Sequence, residues 1–567
     1  MTSGKPVAHT ADGPRRGVYR GGAVHPTIRH LATVHPAVIL GLASTGLFLL
    51  TAVTGVLVAA DRSMALEKFL LLVIGLELAL CIALAGDRPS FPRRFLGMVV
   101  ALTAVSLLVA WLERHRHGGE ALAEAMLALL PLLAGALLLA RDRAWWRGVV
   151  AAGAAMGVCV AVLLTLRERT VWLALATGVF TLGVTELWLR RSATPAVRWL
   201  VCAVCLGACV LLAFYVVEIL DPRALQMDGA QLPGALASRF ALWHDARPII
   251  ADYRFSGSGL GNAAMVFSTY LFLVHVPYVH HVHNLYLQVA MEQGVPALVA
   301  LLGMTGSALW ALLRPLRMSR DLHLLAAAVL VALVSLLAGG LLDAELYAGR
   351  LVFLLFVPMG TAWALHRRAT VMAAVAPARR PWSQLALVAA LPYVAAVCLV
   401  LWPAGLSNLL LNIGAVRQTQ VELRAFHWPD TDFQDRVRRR QQEDLLSAMA
   451  AYRRVLALDP GNVAANRRLG QIALSQGAYA TAAAHLSTAY AQDPDEWIVC
   501  RLWGESLALT GSPVRAAAVW RATAVPVTLL DLRLHWYATL DDAVGYARME
   551  EAVARTRMDA PPGAQSN

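Results

Sequence analysis

The sequence predicts an all-α protein in two parts: a polytopic bundle of about eleven transmembrane helices, then an extracytoplasmic solenoid of helical repeats. Three observations carry that reading. Apolar runs of membrane-spanning length recur, arginines return in every second connection, and the C-terminal region shows a 34-residue period.

The chain has 567 residues, 58% of them hydrophobic and 15% charged, with a mean hydropathy of +0.57. A soluble core cannot absorb that much apolar surface. The runs between Pro36 and Ala404 are roughly 18 to 25 residues long, enough to cross about 30 Å of hydrocarbon at about 1.5 Å per residue. Spans are expected at 37–60, 67–86, 95–112, 120–140, 147–166, 171–189, 198–220, 285–312, 323–342, 350–365 and 383–404.

The polar tail 1–35 carries Lys5, Arg15, Arg16, Arg20 and Arg29. Basic clusters then follow at Arg88/Arg93/Arg94, Arg141/Arg143/Arg147, Arg190/Arg191/Arg198, Arg314/Arg317/Arg320 and Arg367/Arg368/Arg379/Arg380. The positive-inside rule makes these segments cytoplasmic, and it places the large loop 221–284 and everything after 404 outside. A first span so deep and so long is expected to act as an uncleaved anchor in the inner membrane, not as a cleaved signal peptide. The net charge of +12 resides in short loops flanking the spans, which argues against a nucleic-acid partner. Six of the seven cysteines lie in apolar spans, where they act as small hydrophobes, so neither a disulfide framework nor a Cys-ligated metal is implied.

In the C-terminal region Asp459-Pro460 recurs as Asp493-Pro494, Gly470 as Gly504 and Gly477 as Gly511, with Ala448, Ala482 and Ala516 in register. That period defines a tetratricopeptide-like array. The expected division is a membrane domain over 36–404, a linker over 405–444, repeats over 445–557 and a disordered tail over 558–567. Two readings of the array stand side by side: a docking surface for a partner protein or glycan, and an adaptor that only stabilises the chain.

Chemistry is expected where ionisable groups meet the membrane surface, since they are costly there. Arg167, Glu168 and Arg169 open the sixth span; as interfacial anchors they would be unremarkable. The loop segment SRFALWHDARPIIADYRFSGSGLGN joins Arg239, Trp243, His244, Asp245 and Arg247 to a turn at Gly257, Gly259 and Gly261. No βαβ unit surrounds those glycines, so they read as a tight turn and not as a dinucleotide site. His280, His281 and His283 precede the eighth span at a spacing that fits no zinc motif, and no metal is expected.

HNLYLQVAMEQGVPAL resembles the hallmark segment of the O-antigen ligase/polymerase superfamily, and RFALWHDARPIIADYRFSGSGLG resembles the segment before it. The likeness spans roughly 145–365. One departure is the triplet Glu168-Arg169-Thr170, where members usually carry Ser-Arg-Gly.

The resemblance implies a cofactor-free, metal-independent transfer of a glycan from an undecaprenyl-diphosphate carrier to a hydroxyl of a glycan, lipid or protein acceptor. It assigns His283, Arg239 and Arg169 as catalytic, and Arg247, Asn284, Trp243, Glu292 and His281 as substrate contacts. Asp343 and Glu345, at the outer end of the ninth span, are further candidates for the same cavity. The residue types suit the reaction, since arginine neutralises a departing diphosphate and imidazole accepts a proton near neutral pH. A transporter and a membrane-anchored scaffold are the alternatives from other classes. The lack of repeated halves, of broken helices at mid-membrane and of charges at mid-span argues against transport.

Overall fold

The computed structural model describes residues 36–112, 118–166, 168–189, 235–271, 273, 279–373, 403–424, 433–440 and 444–558. Every regular element among them is helical. Six long helices come first: α1 (Pro36–Val58), α2 (Arg62–Ala85), α3 (Phe91–Leu112), α4 (Gly118–Asp142), α5 (Trp146–Leu166) and α6 (Arg169–Leu189). Then follow α7 (Ala235–Asp252), α8 (Ala263–Leu271), α9 (Leu285–Gln293), α10 (Val295–Leu312), α11 (Arg320–Gly340), the single turn α12 (Glu345–Ala348) and α13 (Val357–Met372).

Eight described helices, α1 to α6 with α10 and α11, are long and apolar enough to cross a membrane. The chain is a multi-pass membrane protein. The expected spans 198–220 and 383–404 lie outside the described residues, apart from the last two positions of the second. The span expected at 350–365 is a 3-10 turn, Val352–Phe356, running into α13.

Helix α4 lies at the centre, with 83% of its apolar window buried against 17% for α5 and α6. Those outer helices leave Val150, Leu164 and Val179 exposed, as lipid-facing surfaces do. Small residues let α11 approach closely. A Cβ on Gly135 of α4 would fall 2.5 Å from that of Ala328, and one on Gly178 of α6 would collide with Ser335.

The expected continuous helix 285–312 is two helices, because a second segment takes over its hydrogen bonds. Ser258 donates both its N–H and its hydroxyl to the Met291 carbonyl, at 2.7 and 2.9 Å, and Gly259 N–H donates to the Glu292 carbonyl at 3.1 Å. Val295 N–H turns instead to the Arg254 carbonyl, 2.8 Å away. Two glycines make this possible. Gly257 and Gly294 both have positive φ, and a Cβ on Gly294 would sit 2.6 Å from the Phe255 oxygen. The break falls at the end of the span, since the 18 residues of α10 still reach about 27 Å.

The stretch 405–444, expected as a linker, is helical over α14 (Pro403–Arg424) and α15 (Gln434–Arg439). Helix α14 behaves as the first member of the stack: Gly414 admits the ring of Tyr452, whose hydroxyl donates to Gln418 at 2.7 Å. The paired helices α16 (Leu446–Leu458), α17 (Val463–Ser475), α18 (Tyr479–Gln492), α19 (Trp497–Leu509), α20 (Pro513–Ala522), α21 (Val527–Ala538) and α22 (Ala543–Met558) complete it.

All residues from Ala465 to Ser475 of α17 and from Ile498 to Leu509 of α19 are buried. The chain's own loop covers them. Ile249, Tyr253, Phe267 and Tyr270 share one apolar cluster with Leu474, Leu486, Leu502 and Trp520. At its edge the buried Asp252 carboxylate accepts from Arg468 Nε at 2.7 Å and Arg467 Nη2 at 3.1 Å, with Arg468 lying 4.2 Å over the Tyr270 ring. Trp497 Nε1 donates to Asp245 at 2.9 Å, and Asn412 caps the backbone N–H groups of Phe255 and Ser256. This face of the repeats is occupied as an adaptor requires.

Removing the carboxylate would strand two buried guanidinium groups. Asp252→Ala is expected to destabilise the joint between loop and repeats by about 3–5 kcal/mol. Protease cleavage between the membrane and repeat domains should accelerate accordingly, measured on the full chain.

Candidate active site

The polar residues singled out near the membrane surface gather at the end of the bundle that carries the repeats, where Gln420 of α14 donates to the Val58 carbonyl at 3.1 Å. Asn284 starts the assembly. Its side-chain oxygen accepts from Tyr286 N–H and Leu287 N–H, both at 3.0 Å, and so caps α9. Its amide nitrogen donates to the Leu341 carbonyl at 3.1 Å, tying the cap to the turn after α11. Asn284, expected as a substrate contact, is buried and bonded to the frame.

With α9 anchored, the residue before the cap is turned outward. His283 has φ of +47°, an uncommon left-handed conformation for a side chain other than glycine. Its Nδ1 lies 3.1 Å from Asp343 Oδ1, and 31% of the side chain remains exposed. With the proton on Nδ1 held by the carboxylate, Nε2 is left as an acceptor.

Asp343 is the hub of the site. Its backbone carbonyl accepts Leu285 N–H at 3.1 Å, its Oδ1 accepts Ala344 N–H at 2.8 Å, and its Oδ2 lies 3.4 Å from Arg239 Nη2. One carboxylate therefore joins the loop helix α7, the histidine segment and the turn after α11. Burial alone would raise its pKa, but the hydrogen bond and charge of His283, with Arg239 and His281, hold it below the ordinary value.

His281 packs edge-on against His283, ring centroids 4.2 Å apart, and its Nε2 lies 2.5 Å from Glu345 Oε1. Its Nδ1 is 3.3 Å from His283 N and 3.8 Å from Asp343. Desolvation pulls the imidazole down, yet Glu345 outweighs it and the pKa rises above 6.5; Glu345, raised by burial but lowered more by His281, settles below 4.5.

The other expected residues fall in different places. Trp243 donates Nε1 to the Val282 carbonyl at 2.9 Å and packs on Phe240, bracing the histidine segment. Glu292 is buried, 2.7 Å from Lys68 Nζ of α2, and also accepts from Gln288 at 2.8 Å and Gly261 N–H at 3.2 Å. Trp243 braces the frame, while Glu292 ties α2 to α9 and also lines the neighbouring cavity. Arg247 is exposed on α7, and Arg169 is exposed at the first turn of α6. Neither is drawn into the Asp343 cluster.

Three groups escaped sequence reasoning. Glu124 lies within the α4 span and accepts Leu346 N–H; Glu120 gathers with His281 and Glu345; Lys68 pairs with Glu292. The only signal was an ionisable residue inside an apolar run, and a run does not say which residue will face it. The pair Lys68 and Glu292 lies beside a helix break at the end of the span, not at mid-span. A glycine turn packs that break.

Two triads bring donor atoms within 4.8 Å of one another, His281/His283/Asp343 and Glu120/His281/Glu345. Both have a donor set that a divalent ion accepts. The imidazole and carboxylate partners already bond to each other in pairs, so an ion would have to displace those contacts.

The fold and site define a class: a polytopic helical membrane protein whose imidazole, carboxylate and guanidinium cluster sits beneath a helical-repeat clasp. Comparison with protein families makes it particular. Residues 153–302 match the family described as O-antigen ligase, and residues 439–518 match the tetratricopeptide repeat. No curated protein matches the chain. The chain thus carries a segment that matches the O-antigen ligase family and a tetratricopeptide-repeat segment, and the first supports a membrane glycosyltransferase of ligase/polymerase type. The matched segment includes Arg169, Arg239 and His283 but stops short of Asp343.

The shifts of His281 and Glu345 set a pH window. With its folded pKa raised, His281 stabilises fully below its ordinary value of 6.5 and loses that contribution as pH rises through the folded value. Glu345 loses its contribution as pH falls from 4.5 through its lowered folded value. The thermal midpoint is expected to fall on both sides of a plateau between these limits. His281→Gln should flatten the alkaline limb, read by differential scanning fluorimetry across pH.

Proposed function

We propose that the protein transfers a glycan from an undecaprenyl-diphosphate carrier to an acceptor hydroxyl, at the outer face of the cytoplasmic membrane and without a metal. The observation that carries this reading is the convergence of His283 and Arg239 on Asp343, at a bundle end where a lipid carrier can reach.

The acceptor O–H gives its proton to His283 Nε2 as the oxygen attacks the anomeric carbon. On the opposite face the bond from that carbon to the diphosphate oxygen breaks, and the configuration inverts. Undecaprenyl diphosphate departs with the electron pair. Arg239 and Arg169 meet the charge that accumulates on it, acting in a setting less screened than water. Asp343 is a positioning residue: it fixes the His283 tautomer and stabilises the imidazolium that forms. Charge compensation by arginine fills the place that a divalent ion takes in other diphosphate chemistry, so transfer should survive chelation.

Purified chain, reconstituted with an undecaprenyl-diphosphate-linked glycan and acceptors, provides the test. His283→Ala should lower carrier release by about 10²–10⁴-fold while membrane insertion stays intact. Asp343→Asn should lose activity with little change in donor KM and should shift the pH profile. Excess EDTA should leave the wild-type rate unchanged. Release by wild type that is indifferent to His283, or lost on chelation, would sink the mechanism.

A further inference from the structure

Next to the site lies a cavity of about 1060 Å³ whose lining includes His281 and Glu345 but not His283, Asp343 or Arg239. The His281 and Glu345 pair is therefore a partition, with the reactive imidazole on one side and the cavity on the other. Its floor is the ion pair between Lys68 and Glu292, with Lys68 Nζ also 4.1 Å over the Tyr347 ring. Further lining comes from the first turns of α2, from α8 and the glycine turn before it, from the segment after α12, and from Ala121, His280 and Leu423.

The electrostatics of the lining say what kind of ligand fits. Four carboxylates (Asp61, Glu67, Glu292 and Glu345) face three permanent cations (Arg62, Lys68 and Arg350) and two imidazoles, His280 and His281. Most are already matched: Arg350 Nε is 2.9 Å from Glu67, Lys68 is 2.7 Å from Glu292, and Asp61 caps α2 through Ser63 N–H at 2.9 Å. A diphosphate would need uncompensated positive charge, and an ammonium ligand uncompensated negative charge. A lining of paired charges instead offers many fixed donors and acceptors with little net field, which suits a neutral ligand rich in hydroxyls. Between these groups lie Met64, Leu71 and Met265, apolar surface for the C–H faces of sugar rings. The volume stands at the top of the range of about 300–1,000 Å³ for small-molecule sites, room for several rings and more than one ring needs.

We infer that this cavity holds the acceptor, the end of a neutral oligosaccharide chain, and delivers its terminal hydroxyl past His281 to His283. The inference rests on the transferase reading and narrows it: the acceptor is a glycan, recognised by its hydroxyls along several rings.

The test is binding, so that it does not depend on turnover. Full-length protein in detergent is applied to an array of short neutral, amino-sugar and acidic oligosaccharides, and inorganic diphosphate is titrated separately by calorimetry. Ala264→Trp and Ala348→Trp fill the cavity from opposite walls, and unchanged thermal midpoints establish that they fold. Neutral oligosaccharides should be retained by wild type and lost by roughly tenfold or more in both variants. With donor present, the variants should raise acceptor KM and leave donor KM as in wild type. Retention of acidic glycans only, equal retention by the filled variants, no retention of any glycan, or diphosphate binding that the tryptophans abolish would each overturn the proposal. A chain that binds neutral glycans in this cavity yet releases no carrier would fail the transferase reading and leave the binding site standing.

Discussion

A carboxylate cannot be buried without cations or hydrogen-bond donors around it, and the arrangement of this protein turns on one that is. Asp252 ends α7, the helix that presents Arg239, and its charge is met by Arg467 and Arg468 of the repeat domain. Neither side is satisfied alone. Two guanidinium groups would be stranded inside the stack, and a carboxylate would be left against Tyr253 and Tyr270. The loop and the repeats are thus obligate partners, and the position of Arg239 depends on helices more than two hundred residues further along the chain. The 34-residue period said that the repeats would stack. It did not say that the groove would be filled from within.

The same constraint recurs nearer the membrane. Asp343 gathers His283 and Arg239, while Glu292 gathers Lys68, Gln288 and the glycine turn. Each carboxylate joins two other stretches of chain to its own, and each lies close to the bilayer, where an unpaired charge is most costly. Placement follows from that cost. Pairing fixes the side chains more firmly than packing of a polar loop would, so the imidazole of His283 is oriented before any substrate arrives.

The membrane fold was legible because hydrocarbon imposes a length and the arginines impose an alternation, two signals that need no partner to be read. The helix start at Asn284 and the turn at Gly257 to Gly261 were legible for a similar reason, since capping and positive φ are local demands. What stayed hidden was relational. Glu292 sits two turns into an apparently unbroken apolar run, and only the insertion of Ser258 and Gly259 into its hydrogen-bond ladder shows why α9 ends there. Trp243 and Asn284 bond to the backbone carbonyls of Val282 and Leu341, contacts that a motif does not disclose. Asp343 lies beyond the family match, and spacing alone could not pair it with a histidine sixty residues away.

The proposed donor, with a lipid tail, a diphosphate and a glycan, would make three incompatible demands on one site, and the distribution of charge suits their separation. Apolar helix surfaces such as those of α2, α5 and α6 suit the tail. Exposed Arg169 and the loosely held Arg239, 3.4 Å from its carboxylate, keep positive charge available for an anion. The compensated cavity behind His281 withholds it. On the proposed reading an anion is drawn toward the arginines and a neutral chain toward the cavity. On that same reading the His281 and Glu345 pair stands where the two regions meet, and net charge sorts the two ligands before shape is tested.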